Sequence, residues 1–183
     1  MVVKKNVMRR NKTLQFVILA AVLVIGGYAV FQSLFQTTAV MKAGNKPPEF
    51  RLLGLDGTAH DLSEYKGKPL ILNFWGTWCP PCRAEMPALQ SVYDRWKDKG
   101  VQLVGINLSE EKLTVQNFAR EVGASFPILL DRNRQTEKKY GLKQYPTTFF
   151  IGADGKIQDI MIGGPLSEND IESRIAKLMN AKS

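Results

Sequence analysis

Cysteine and histidine are almost absent: the 183 residues contain two cysteines, Cys79 and Cys82, and one histidine, His60. So small a stock excludes a four-ligand zinc cage, an iron–sulfur cluster and a Cys-His protease site, and nothing in the chain resembles a phosphate loop. No metal and no cofactor is expected. A dispersed basic surface is also missing. The net charge is +8, but Lys4, Lys5, Arg9, Arg10 and Lys12 supply five of those charges before residue 13, which argues against nucleic acid as a partner. There is no internal repeat and no low-complexity segment. With 44% hydrophobic and 23% charged residues, the chain has the composition of one globular domain with an appendage.

The appendage is the N-terminus. No residue from Thr13 to Met41 carries a charge, and Leu14 to Phe35 is apolar enough, and long enough, for the ~20 helical residues that cross a hydrocarbon core. A buried helix of a soluble protein would show a polar face, and this one has none. The spacing predicts a cytoplasmic basic segment over 1–13 and a transmembrane signal anchor over 14–35. A polar linker over 36–48 follows, then an extracytoplasmic domain over 49–183, because Lys/Arg-rich flanks stay in the cytoplasm. A cleaved signal peptide is the competing expectation, although Thr37-Thr38-Ala39 makes a mediocre cleavage site and the apolar run exceeds the usual length. The linker reaches at most about 3.5 Å per residue, so the domain is expected to work near the membrane.

Within the domain, Phe50–Leu55 and Thr58–Leu62 flank Asp56-Gly57 and read as a β-hairpin, with His60 an ordinary surface histidine on it. Leu70–Trp75 is a nearly continuous apolar run of the kind buried on both faces of a sheet. A helix from about Pro81 to Lys99 presents Leu89, Val92, Tyr93 and Trp96 on one stripe. A strand over Val101–Leu108, an amphipathic helix around Val115–Val122, a strand at Ile128–Leu130 and a short helix ended by Gly141 follow. Thr147–Ile151 and Lys156–Ile162 form a second hairpin through Asp154-Gly155, and Ser167 with Asp170 caps the last helix. This order describes a mixed α/β sandwich with helices on both faces.

The chemistry concentrates at Trp78-Cys79-Pro80-Pro81-Cys82-Arg83, where the central strand ends and a helix begins. Prolines in a first helical turn cost little, since those amides have no intrahelical partner. Cys79 is expected at the exposed helix terminus, where unpaired N–H groups lower a thiol pKa, and Cys82 one turn inward. Cys79 would attack and Cys82 resolve. An inert staple is the bland alternative, but a bridge closing so short a loop removes little chain entropy.

Asn73-Phe74-Trp75-Gly76-Thr77-Trp78-Cys79-Pro80-Pro81-Cys82, with Pro87 following and Tyr145-Pro146-Thr147-Thr148 before a strand, resembles the thioredoxin superfamily, and within it the membrane-anchored ResA and TlpA group. The likeness spans about residues 44–180. It implies a thioredoxin-like fold with a leading hairpin and an inserted helix, and thiol-disulfide exchange outside the membrane. The implied substrate is the heme-attachment disulfide of apocytochrome c, with electrons from a membrane thiol carrier such as CcdA, and the protein is expected to act as a monomer. By the same resemblance Pro146 is the cis-proline facing the cysteines, and Tyr145 offers its backbone to an extended substrate. A trans turn proline is the alternative at Pro146.

Two departures matter. The aspartate that thioredoxin buries under its resolving cysteine is Asn73 here, which takes no proton. Glu85 is the nearest replacement, to adjust the cysteine pKa values or carry the resolving proton. Its bland alternative is a solvated helix glutamate or an ion pair with Arg83. Pro80 replaces a glutamate associated with the group, which eases thiolate formation at Cys79. Pro87 reads as a tolerated helix proline that frees the Arg83 carbonyl, Trp75 as core, and Trp78 as either core or substrate seat. Competing functions are an oxidant or isomerase of secreted proteins, a thiol peroxidase, and a redox-inert, membrane-tethered binding module.

Overall fold

The computed structural model describes residues 3–35 and 41–180; in the first helix the described side chains are those of residues 12, 14–28, 30 and 31. The chain divides into two compact units, residues 1–37 and 38–183. In the first, α1 (Val3–Phe35) is a helix of 33 residues whose described side chains are exposed on every side. Among the described residues no helix is long and apolar enough to cross a membrane. The side chains described without a break there run only from Leu14 to Tyr28, so the span expected over 14–35 is not seen among them.

The second unit is built on a seven-stranded mixed sheet, β1 (Arg51–Gly54), β2 (Ala59–Asp61), β3 (Leu70–Trp75), β4 (Gln102–Leu108), β5 (Ile128–Asp131), β6 (Thr147–Ile151) and β7 (Ile157–Ile162), in the spatial order β2-β1-β5-β4-β3-β6-β7. The nearly continuous apolar run of β3, broken only by Asn73, is explained by its place. It pairs parallel with β4 and antiparallel with β6, and all six of its residues are buried. Side chains alternate across it. Ile71 and Trp75 point to the face covered by α2 (Pro80–Trp96), α3 (Lys112–Glu121) and α5 (Glu168–Asn180), in a core with Met86, Leu89, Phe118 and Ile171. Leu70, Leu72 and Phe74 point to the other face, where Tyr140 of α4 (Gln135–Tyr140), Phe149 and Tyr65 enclose them. Asn73 shares the α2 face, a placement that decides its role.

Both hairpins form; β6 has the expected bounds, while β1, β2 and β7 are shorter by a residue or two. Gly57 takes the positive φ of 88° in the first turn, and Asp56 accepts from the Thr58 backbone N–H at 2.9 Å. His60 is less ordinary than expected: its Nε2 lies 3.1 Å from Asp56 and its Nδ1 3.1 Å from Glu64, which ties the turn to the following 3-10 segment Leu62–Tyr65. The second hairpin carries a register shift between Phe150 and Ile151. The helix expected over 81–99 starts one residue earlier and is α-helical only to Trp96, its last turn tightening into a 3-10 segment ended by Gly100. The cap of α5 is reciprocal as expected, Asp170 N–H to Ser167 Oγ at 3.2 Å and Ser167 N–H to Asp170 at 3.1 Å.

Of the expected linker, residues 36–40 lie outside the described residues. The rest belongs to the domain: Gly44 N–H donates to the Ile157 carbonyl at 2.7 Å, and Ile157 N–H donates to the Asn45 carbonyl at 2.9 Å. The tail thereby covers the start of edge strand β7, and the domain begins before residue 49.

Candidate functional site

The Gly76–Trp78 turn leads from β3 into α2 and is fastened from the neighbouring strand. Glu110, just past the end of β4, accepts from Thr77 N–H at 2.7 Å, from the Thr77 hydroxyl, and from Asn107 Nδ2 at 2.7 Å. Nothing in the motif itself pointed to Glu110, which lies 33 residues away in sequence; the acidic pair Glu110-Glu111 after a buried strand was the only available signal.

Cys79 is the N-cap of α2, and its Sγ accepts from Cys82 N–H at 3.3 Å. Pro80 and Pro81 have no N–H to offer, so Cys82 supplies the first amide of the helix, and it is aimed at the first sulfur. The two cysteines are bridged, with α-carbons 5.2 Å apart. One expectation needs correction. Cys79 is not openly exposed: in the bridged form it is 4% accessible and Cys82 0%. The exposed aromatic of the motif is Trp78, at 51%, and Pro80 and Arg83 are exposed with it.

Glu85 is fully buried, one helical turn beyond Cys82. Its Oε1 accepts from Asn73 Nδ2 at 2.7 Å and its Oε2 from the backbone N–H of Leu166 at 3.0 Å. The surface readings of Glu85 fall with this burial, and Arg83 turns instead to Glu121 at 3.5 Å and to the ring of Phe118. Burial pushes the Glu85 carboxyl up to about 7, against the two hydrogen bonds that favour its charged form. Asn73 Nδ2 also donates to Thr148 Oγ1, 2.9 Å away on its direct cross-strand partner, while Asn73 Oδ1 has no partner. Asn73 therefore supports the titrating group without being one.

Tyr145-Pro146 is a cis peptide bond, and so is Gly164-Pro165. The two segments touch: Gly163 N–H donates to the Pro146 carbonyl at 2.8 Å. A Cβ at Gly164 would lie 3.0 Å from Pro146 Cγ and 3.1 Å from Glu85 Oε2. The missing side chain there lets the proline loop and the buried carboxyl meet. Tyr145 packs edge-on to Trp78 with ring centroids 5.4 Å apart, which places the proline loop beside the cysteine turn. Its hydroxyl reaches Glu137 and accepts from Arg134 at 2.9 Å, two partners that sequence reasoning missed. Burial and the neighbouring Glu137 carboxylate raise its pKa, so it remains a donor at neutral pH. Among the described residues no group of side chains is arranged to hold a metal ion.

Residues 43–160 match the AhpC/TSA family. The thiol-disulfide oxidoreductase ResA of Geobacillus thermodenitrificans is 38% identical over 170 residues, which covers 93% of this chain and 97% of that one. The ResA of Bacillus subtilis is 38% identical over 137 residues, covering 75% and 76% of the two chains. Among solved structures, a thiol:disulfide interchange protein of the thioredoxin family from Chlorobium tepidum matches with a TM-score of 0.67 at 29% identity, over 77% of this chain and 99% of its own. StoA from Bacillus subtilis matches with a TM-score of 0.62 at 32% identity, over 70% of this chain and 97% of its own.

Proposed function

The chain belongs to the AhpC/TSA family of thioredoxin-fold proteins and is a thiol-disulfide oxidoreductase, and from that premise we propose that it works as a membrane-anchored, extracytoplasmic reductase of the heme-attachment disulfide of apocytochrome c. The observation that carries the exchange chemistry is Glu85: a carboxyl raised to about 7, sealed one turn beyond Cys82, is placed to take the proton that a resolving thiol must lose and to return it in the reverse step, while the reducing direction rests on the resemblance and on the test below.

In the reduced enzyme the Cys79 thiolate, held by the Cys82 N–H and the α2 terminus, attacks one sulfur of the substrate disulfide. A mixed disulfide forms, and the substrate's other sulfur leaves as a thiolate that takes a proton from solvent. Cys82 then gives its proton to Glu85 and attacks Cys79. The Cys79–Cys82 bond closes, the second substrate sulfur departs as a thiolate that takes a proton from solvent, and Glu85 releases the proton it received. Two electrons have passed to the substrate, and the enzyme is left in the bridged form. Tyr145 and Pro146 present the backbone against which an extended substrate lies, with Trp78 beside it. Since Cys79 and Cys82 are the only cysteines, the chain has no internal relay, and a membrane dithiol carrier resembling CcdA is needed to restore it.

The uncharged run from Thr13 to Met41, preceded by five basic residues, supports the anchor and its orientation. The resemblance of the Asn73–Cys82 segment supports apocytochrome c. The test is the redox state of Cys79 and Cys82 in living cells, read by alkylation with and without the carrier, beside a heme stain of the membranes. A reductase is held mainly as thiols and becomes oxidised when the carrier is lost. A pair held as a disulfide in both strains makes the protein an oxidant, and normal c-type cytochromes in a strain lacking it remove apocytochrome c as the substrate.

A further inference from the structure

The side chain of Tyr145 is held more firmly than a rim aromatic requires. The guanidinium of Arg134 makes a forked pair with Glu137, through Nε to Oε2 and Nη2 to Oε1, the latter at 2.8 Å. The same Nη2 donates to the Tyr145 hydroxyl at 2.9 Å, and that hydroxyl donates in turn to Glu137 Oε1. The three groups close a ring of charge-assisted hydrogen bonds, the strongest kind available to side chains. Glu137 is itself fixed from below, its backbone N–H donating to the buried Asp131 carboxylate at 2.8 Å. Arg134 caps α4 in the left-handed backbone region, at φ 57°. A side chain with a Cβ disfavours that conformation, and the three hydrogen bonds of this guanidinium offset it. On its other side the Tyr145 ring meets Trp78 edge-on, with an interplanar angle of 90°. A continuous line of contacts therefore runs from the strand β5–α4 junction to the one exposed aromatic beside the disulfide.

We infer that Arg134 and Glu137 are positioning residues for protein substrates: they lock the Tyr145 ring, and through it Trp78, into the surface on which a polypeptide disulfide docks. The inference rests on the reading of Tyr145 as a substrate contact. The partners of Arg134 and Glu137 are each other, Tyr145 and, through the Glu137 backbone, Asp131, and not the sulfurs, so both act on docking and leave electron transfer alone. A small disulfide, which needs no docking surface, does not register them.

The full chain in detergent, reduced, is mixed with a synthetic peptide carrying an internal Cys-x-x-Cys-His disulfide, and separately with hydroxyethyl disulfide, and single-turnover rates are followed against concentration. Arg134→Lys keeps the charge and loses the fork. With Glu137→Gln it is expected to raise the half-saturating peptide concentration about tenfold, the scale of one charge-assisted hydrogen bond, with the saturating rate within about twofold of the parent. Tyr145→Phe, which removes one atom and keeps the fold, gives the same shift, and combining it with Arg134→Lys adds nothing further. Both Arg134→Lys and Glu137→Gln leave the hydroxyethyl disulfide rate within about twofold of the parent. Loss of both reactions in proportion would assign the two residues to stability and overturn the inference. An unchanged half-saturation in both variants, while Tyr145→Ala raises it, overturns the inference and leaves Tyr145 as a substrate contact. No change with Tyr145→Ala overturns both.

Discussion

Replacing Glu85 by glutamine separates its electrostatic role from its packing, because the substitution keeps the shape and removes the titration. The hydrogen-bond pattern accommodates it. Glu85 receives two donors, Asn73 Nδ2 and Leu166 N–H, and a glutamine amide can accept from only one of them. A flip of the Asn73 amide lets its oxygen face the new amide and accept from the Thr148 hydroxyl, and turns Nδ2 into the slot where Oδ1 is unpartnered at present, a cost independent of pH that leaves the slope unchanged. The magnitude follows from the shift. A carboxyl with an ordinary pKa of 4.5 that is raised to about 7 in the folded protein differs by about 2.5 units, or about 3 kcal/mol, between the two protonation states. The folded state binds the proton more tightly, so stability is highest below about pH 4.5, declines as pH rises to about 7, and is level beyond. The assay is urea unfolding of the oxidised domain, residues 41–183, at pH steps from 4 to 8, with the glutamine variant in parallel so that all other groups cancel. The parent is expected to lose about 3 kcal/mol relative to the variant across that window. In the reduced protein, the variant should titrate Cys79 at a lower pH and exchange more slowly at equal thiolate fraction, since a negative charge and a proton acceptor are both gone. Parallel stability curves and an unchanged thiolate titration would refute the placement of a titrating carboxyl beneath the pair.

Cys82→Ser should accumulate mixed disulfides with substrates in cells while Cys79→Ser should not; trapping by the Cys79 variant would reverse the roles of attack and resolution. Glu110→Gln leaves one acceptor where a carboxylate now holds Thr77 and Asn107, and is expected to lower the unfolding midpoint by several degrees and slow exchange several-fold; wild-type values would show that the turn holds itself. His60 has a raised pKa because, although partial burial works against its charge, Asp56 and Glu64 hydrogen-bond to the protonated ring. Its ion pairs therefore add stability below pH 6.5 that is lost as pH rises through the folded value, and His60→Gln should remove that slope, a difference readable by thermal unfolding in pH steps upward from 5.

The parts of the site that are contiguous in sequence were legible, and the parts assembled across the sheet were not. Leu70–Trp75 announced a central strand because a strand buried on both faces leaves no polar period, and the Pro-Pro turn announced a helix start because only a first turn tolerates both prolines. Glu85 stood out as a carboxylate one turn past a cysteine, but its burial depended on Asn73, 12 residues earlier, and Leu166, 81 later. Glu110 carried only the weak mark of an acidic pair after a strand, and Arg134 and Glu137 carried none, since a charged residue destined for a part-buried hydrogen-bond ring looks like one on a solvated helix until the ring is closed. The exposure expected of Cys79 failed for a related reason: helix position predicts which sulfur lies outermost, while the loops from other elements decide how much of it is covered.

The place of β3 between β4 and β6 also sets an order of events during synthesis. Leu70 pairs with Gln102 on one side and with Ile151 on the other, partners 32 and 81 residues downstream. Neither flank of the strand exists until those segments have emerged, and closing the larger loop is an entropic cost that local contacts do not relieve. The cysteine turn therefore leaves the ribosome, and on the proposed topology crosses the membrane, well before the sheet that shelters it. For that interval Cys79 and Cys82 belong to an extended chain, open to whatever oxidant or thiol they meet, and the redox state in which the enzyme begins its life is set by its surroundings.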